Sequence, residues 1–307
     1  MRICSLLPSA TEIVCALGLE DALVGISHEC DYPPSVRAKP VLIRPRVDPS
    51  APAAVIDQQV RELVGRGESI YSVDADLLRR LEPGLILTQD LCHVCAASPD
   101  DLGAALARFP RPPQVVTLSP HSLGDVWNDI GAVGEATGRR AKADELVRGL
   151  KERVAHVSQA CAGDASSRPR VVCLEWLSPL YVGGHWVPEM VALAGGEDVL
   201  GHPGEPSFRV SWEQVIEARP EVVLVMPCGY DASKALREFS ELSLPPGWAD
   251  LPAVKTRRVF AVNANSYFSR PGPRLVDGLE MMAGLLWPEM RMREGVPGEG
   301  EGVSLCP

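Results

Sequence analysis

Glu12-Ile-Val-Cys-Ala-Leu-Gly18-Leu-Glu20-Asp21-Ala-Leu23 returns later in the chain as Glu189-Met-Val-Ala-Leu-Ala-Gly195-Gly-Glu197-Asp198-Val-Leu200, with Glu, Val, Gly, Glu, Asp and Leu in register. A second pair follows in the same order: Asp76-Leu-Leu-Arg-Arg-Leu-Glu-Pro83-Gly-Leu-Ile-Leu87 matches Glu213-Gln-Val-Ile-Glu-Ala-Arg-Pro220-Glu-Val-Val-Leu224. The second pair reads as a helix stopped before a proline and followed by a short buried strand. Two matches in one order read as a duplication, so two similar lobes are expected. The motifs stand 40 residues farther apart in the first half (Asp21 to Pro83 against Asp198 to Pro220). That extra length falls in the Pro- and Arg-rich stretch at about 33–69.

Outward from these motifs, residues 3–7 read as a strand that Pro8 breaks. Ser9-Ala10-Thr11-Glu12 then fits the S-x-x-E capping box of a helix with Ile13, Val14 and Leu17 on its apolar face, stopped by Gly18. Further strands are expected at 23–26, 85–88, 115–118, 171–174, 222–225 and 259–262, with helical patterns between several of them. Short apolar strands alternating with helices predict α/β layers with parallel-type sheets. From Leu123 to Cys161 the chain has few helix breakers, and Leu146, Leu150, Val154 and Val157 form an apolar stripe. The fold expected is two similar α/β lobes joined by one long rigid helix. The N-terminal lobe is 1–122, the linking helix region 123–162 and the C-terminal lobe 168–287. The Gly-rich tail, 288–307, is expected to be disordered.

Composition narrows the function. The chain has 307 residues, 46% of them hydrophobic and 23% charged, with a formal net charge of −10. These values describe a folded protein large enough for two lobes, and the negative charge disfavours nucleic acid or an anionic membrane surface as the main partner. Nine scattered cysteines, an odd number, suit free thiols in a reducing compartment. Pro8, Thr11 and Glu12 interrupt the apolar run that a signal peptide needs, and Cys15 lacks the small preceding residue of a lipid-modified cysteine. As written the chain is expected to be cytoplasmic, or extracytoplasmic if a native signal has been removed. No G-x-S-x-G, Walker A or H-E-x-x-H motif occurs, and no nucleophile stands out with its base, so no enzyme activity is expected.

Ser5-Leu-Leu-Pro-Ser-Ala-Thr-Glu12, Gly18, Val24-Gly25 and Cys30-Asp31-Tyr32-Pro33-Pro34 together resemble the opening of the cobalamin-binding proteins of ABC importers, in the iron-siderophore/B12 class of substrate-binding proteins. Leu81-Glu-Pro-Gly-Leu-Ile-Leu-Thr88 and Arg219-Pro-Glu-Val-Val-Leu-Val225 resemble that family's helix-to-strand motif. The resemblance extends to about Trp287. It implies a class III substrate-binding fold: two lobes, a rigid connecting helix, a ligand held between the lobes and no catalysis. The implied ligand is a corrinoid of the vitamin B12 type, with siderophore or haem as alternatives, and no cofactor is required. The resemblance also implies that Tyr32 lines the corrin site. It makes Asp76 and Glu213 the carboxylates that would meet an importer permease, although both equally suit helix N-termini. A monomer is expected. An export signal is missing from the pattern, and the Arg-rich insertion and a Cys-His-Val-Cys element are additions to it.

A corrin is a broad, partly apolar disc fringed with amides, so its site needs flat aromatic surfaces and a few hydrogen bonds. The loops that follow the expected strands carry such groups: Tyr32, Trp176, Tyr181, His185, Trp186, Tyr230 and Phe268. Each could instead pack its loop onto its lobe, as Trp212 and Trp248 are expected to do. His185 is a candidate axial ligand to cobalt. Arg46, with Arg44, Arg270 and Arg274, could meet an anionic group of the ligand. Cys92-His93-Val94-Cys95 follows the strand at 85–88. With His28 and Cys30, its cysteines Cys92 and Cys95 could hold zinc or an iron–sulfur cluster, or form a redox disulfide. A metal-dependent protein on the same fold is the alternative function, and plain structural or ligand-lining thiols are the simpler reading of the motif.

Overall fold

The structure is a computed structural model that describes residues 1–90, 99–107, 109–163, 168–289 and 303–305. The chain divides into two compact units, the first comprising 1–120 and 124–149, the second 121–123 and 150–307. The elements of the first half are β1 (Ile3–Ser5), α1 (Pro8–Ala16), β2 (Leu23–Ser27), β3 (Val41–Pro45), α2 (Ala53–Gly65), β4 (Tyr71–Val73), α3 (Ala75–Leu81), β5 (Leu85–Gln89), α4 (Pro99–Leu106), β6 (Gln114–Leu118), α5 (Leu123–Ala136) and α6 (Arg140–Ala160). The second half adds β7 (Arg170–Leu177), β8 (Leu180–Val182), α7 (Val187–Leu193), β9 (Glu197–Asp198), β10 (Phe208–Arg209), α8 (Trp212–Ala218), β11 (Val222–Val225), α9 (Ala232–Ser240), α10 (Pro252–Lys255), β12 (Val259–Ala261), α11 (Ala264–Tyr267), α12 (Leu275–Leu286) and β13 (Val303–Ser304).

The first unit is built on a sheet of order β4-β3-β2-β1-β5-β6. All its pairings are parallel except β3 with β4. Every residue of β1 and β5 is buried, as strands covered by helices on both faces must be. The chain travels from β1 towards β4 and then places β5 on the other side of β1, which makes the carboxyl ends of β1 and β5 a topological switch point. The second sheet runs β10-β8-β7-β11-β12-β13, with β9 beside the start of β7. Its parallel core is β7, β11 and β12; β8 and β13 are antiparallel to it, and β10 pairs antiparallel with β8. Trp212 and Trp248 pack edge to face at 5.5 Å, and Phe239 meets Trp248 at 5.6 Å, in the core beneath this sheet.

The repeated motifs adopt the same local structure. Helices α1 and α7 end on glycines with positive φ, Gly18 (73°) and Gly195 (79°). In each, the glycine N–H bonds three residues back and the next N–H reaches five back, from Leu19 to Val14 O and from Gly196 to Val191 O. This is the double closure that only a left-handed residue permits. The second pair agrees as closely. Asp74 and Ser211 accept the N–H three residues on, from Leu77 and Gln214. The helices then stop on the left-handed residues Glu82 (43°) and Arg219 (46°) just before the prolines.

Three details depart from the sequence reading. Ser9 does not cap α1. Pro8, whose fixed φ suits the first helical position, starts the helix after Leu7, so Ser9, Thr11 and Glu12 lie buried within it. The extra stretch at about 33–69 holds regular structure the sequence reading did not expect: β3 and α2 arise from it, and β3 pairs with β2. The long helix begins at Arg140, since Gly138 (φ 66°) ends α5. The division between the units falls inside this helix, at Gly149 and Leu150. In the second unit Arg153 ties α6 to α12, bonding Asp277 at 2.6 Å and Glu280 at 2.7 and 2.9 Å. Of the tail, residues 303–305 are described, and β13 borders β12.

Close approach of α11 to α12 generates a stability prediction. A Cβ on Gly278 would stand 2.2 Å from the Tyr267 carbonyl oxygen, whereas Gly284 on the same helix has nothing within 4 Å. Gly278→Ala should therefore cost about 1–3 kcal/mol, and Gly284→Ala should stabilise by up to about 1 kcal/mol. Denaturant unfolding of the two variants checks both signs.

Candidate functional site

Strands buried on both faces leave their chemistry to the loops at their ends. In the first unit, β1 leads into Leu6, Leu7 and α1, and β2 leads into residues 28–32. Between them lies a small buried polar network. The Thr11 hydroxyl stands 2.8 Å from Ser5 Oγ and 3.0 Å from the Cys30 sulfur. His28 places Nδ1 3.3 Å from Ser27 Oγ and its ring centre 6.2 Å from that of Tyr71. Burial holds its imidazole below the ordinary histidine value, partly opposed by Glu29. Tyr32 is 46% exposed at the end of this loop.

These placements bear on the metal alternative. Cys30 is buried against Thr11, and His28 faces Ser27 and Tyr71. Among the described residues no group of three or more His, Cys, Asp and Glu side chains comes together to hold a metal. Cys92 and Cys95 lie outside the described residues. Free thiols among the described residues include Cys4 and Cys15, which burial pushes up to about 12. Arg46 is engaged by the Glu68 carboxylate and by Ser69 O at 2.9 Å, and it holds Glu68 below the usual carboxylate range.

In the second unit the aromatic groups gather at the carboxyl ends of β7 and β11. Trp176 and Tyr181 are cross-strand partners in the β7–β8 hairpin and so share one face. The Trp176 ring meets Tyr230 edge-on at 5.6 Å, and its indole N–H reaches Ser178 O at 3.2 Å. Tyr230 is itself buried, with Lys234 Nζ 3.8 Å from its ring centre. Burial and the neighbouring Glu238 push its phenol up. Glu175, beside Trp176, accepts the Ser207 hydroxyl at 2.8 Å, which ties the hairpin to the 201–207 loop.

Next along the chain, Gly183-Gly184-His185-Trp186 turns into α7. His185 has φ 53°, a costly backbone for a non-glycine residue. Two hydrogen bonds hold it there: its N–H to Glu205 O and the Gly204 N–H to its own carbonyl. Gly184 has no room for a side chain, since a Cβ would meet Ser207 N at 2.4 Å. Trp186 is buried and donates its indole N–H to Phe268 O at 2.8 Å, and Phe268 is buried in turn. Buried Tyr230 and Trp186 thus each meet a more exposed ring, Trp176 and His185, with ring centres 5.6 Å apart in both pairs. Arg270 is also buried and reaches Asn265 Oδ1 at 3.0 Å.

Sequence reading passed over His121. Its ring centre lies 5.5 Å from that of His185, although 64 positions separate them in the chain. Nearby, the Glu189 carboxylate accepts the Leu123 N–H at 2.9 Å. Asp76 and Glu213 are exposed at the second position of α3 and α8, as the repeat requires. The Ser211 hydroxyl lowers the Glu213 carboxyl.

The family profile for periplasmic binding proteins matches residues 3–265. The chain belongs to the periplasmic binding protein family. An uncharacterized ABC transporter substrate-binding lipoprotein of Bacillus subtilis (strain 168), YvrC, is 25% identical over 299 residues, covering 94% of this chain and 80% of its own length. A vitamin B12-binding protein of Vibrio cholerae serotype O1 is 25% identical over 281 residues, with 92% and 87% covered. The solved structure of the periplasmic heme-binding protein RhuT from Roseiflexus sp. RS-1, in apo form, superposes with a TM-score of 0.69 at 23% identity, covering 94% of this chain and 98% of that one. The last likeness establishes the fold alone. Family members of this kind are binding proteins, and they work with ABC transporters. Among the described residues no helix is long and apolar enough to cross a membrane.

His185 gives this site a pH signature. Burial, then the His121 charge, lowers its value from 6.5, so the folded chain favours the neutral ring. The unfolded chain takes up the proton first, and the stability that His185 contributes falls as pH drops through about 6.5. His185→Asn keeps a residue that tolerates positive φ. Between about pH 7.5 and 5.5, the variant should lose less stability in urea than the parent chain. An equal loss would contradict the assignment.

Proposed function

We propose that this chain binds a corrinoid of the vitamin B12 type and delivers it to an ABC importer. The observation that carries the reading is the aromatic face made by Trp176 and Tyr181 across the β7–β8 hairpin, backed by buried Tyr230. Such a face suits the flat, partly apolar edge of a macrocycle, and the loop leaving β8 presents His185 next in the chain. Tyr32, exposed at the carboxyl end of β2, is a further candidate ligand contact, as the family resemblance implies. The V. cholerae relative, by its name, binds vitamin B12, which favours a corrinoid over other ligands of this family. In this reading Trp186 and Phe268 position the β8 loop, and Arg46 shapes the β3 end through Glu68. Asp76 and Glu213 are the carboxylates that would meet basic residues of the transporter, because the repeat sets them at matching exposed positions.

Titration with hydroxocobalamin and, in parallel, with hemin tests this. Tryptophan fluorescence and the visible spectrum of each ligand are followed together. Saturable one-to-one binding of hydroxocobalamin with a Kd of about 1 µM or tighter is expected, with hemin the weaker ligand. Trp176→Ala should weaken binding about tenfold, roughly 1.4 kcal/mol. Asp76→Ala and Glu213→Ala should leave it unchanged. Tight hemin binding with no response to hydroxocobalamin would replace the corrinoid by heme, and loss of cobalamin affinity in Asp76→Ala would contradict its docking role.

A further inference from the structure

We infer that His121 and His185 form a two-histidine site for a divalent transition-metal ion of the zinc, nickel or copper class, independent of any organic ligand. Two imidazoles joined to one ion by bonds of about 2.0–2.1 Å hold their ring centres about 5–6 Å apart. The rings here stand 5.5 Å apart with their planes inclined at 52°. Neutral imidazole is the ligating form of histidine.

Both histidines are held in place from outside the pair. The His185 backbone is pinned in a left-handed conformation by Gly204 and Glu205. His121 lies just before Leu123, whose N–H bonds the Glu189 carboxylate of α7, the helix that His185 itself leads into. One carboxylate thus ties together two segments far apart in sequence. Such support from surrounding groups is what separates a preorganised ligand pair from two histidines that merely meet. No third His, Cys, Asp or Glu joins them among the described residues, so the two rings are the protein's contribution and water completes the shell.

The test uses the full chain, stripped with a chelator and without corrinoid or heme. Calorimetric titration with zinc and nickel chlorides should show one ion per chain, and the copper(II) complex should give an EPR spectrum with two imidazole nitrogens. His121→Ala and His185→Asn should each weaken binding at least tenfold, with the folded circular dichroism spectrum retained. The double variant Cys92→Ser, Cys95→Ser should bind as the parent does. Absence of stoichiometric binding would overturn the proposal, as would binding that survives both histidine variants or is lost in the cysteine variant. The hydroxocobalamin titration in stripped buffer is unaffected by any of these results, so the two readings fail separately.

Discussion

A parallel strand covered on both faces is a wall of apolar side chains from end to end, and this constraint shapes everything else in the protein. All five residues of β5 and all four of β11 are buried. Such strands can pair, pack and set spacing, but they can present a functional group only where they stop. The loops beyond their carboxyl ends therefore inherit the chemistry, and the switch in strand order beside β1 opens room for it. Tyr32, Trp176, Tyr181 and His185 all sit in or next to such loops. Their supports, Tyr230, Trp186 and Phe268, are where the loops rejoin the core.

The repeated motifs adopt the same local backbone in both halves, while the loops around them differ. Their marks are local and exact in kind: a left-handed glycine closing α1 and α7, a side-chain cap on α3 and α8, and a left-handed residue before each proline. These are positions where backbone geometry leaves few substitutes, so they persist when the surface residues between them diverge. The loops beyond the strands carry no such restriction. The first unit keeps a buried hydroxyl–thiol network and one exposed tyrosine there, while the second assembles its aromatic groups.

Much of this was legible in the sequence. The strands at 85–88, 171–174 and 222–225 announced themselves as apolar runs bounded by turn residues, and Gly18 and Gly195 marked helix ends. The start of α1 was misread because Ser9 and Glu12 have capping spacing, while the fixed φ of Pro8 begins the helix one step earlier. The stretch at about 33–69 looked like an insertion because its prolines and arginines mask the short apolar run Val41-Leu-Ile43 that pairs with β2. Aromatic residues on loops could be found by position, but their depth could not. Trp186 bonds the Phe268 carbonyl across 82 positions, and the His121 ring meets that of His185 across 64. No local pattern encodes such encounters.

The central claim is that binding takes place at the carboxyl-end loops, and hydrogen–deuterium exchange with and without saturating hydroxocobalamin tests it most directly. The account predicts slowed exchange in peptides spanning residues 28–32, 176–186 and 228–231, with the helices α2 and α9 unchanged. Protection confined to other segments, or none at saturation, would contradict it.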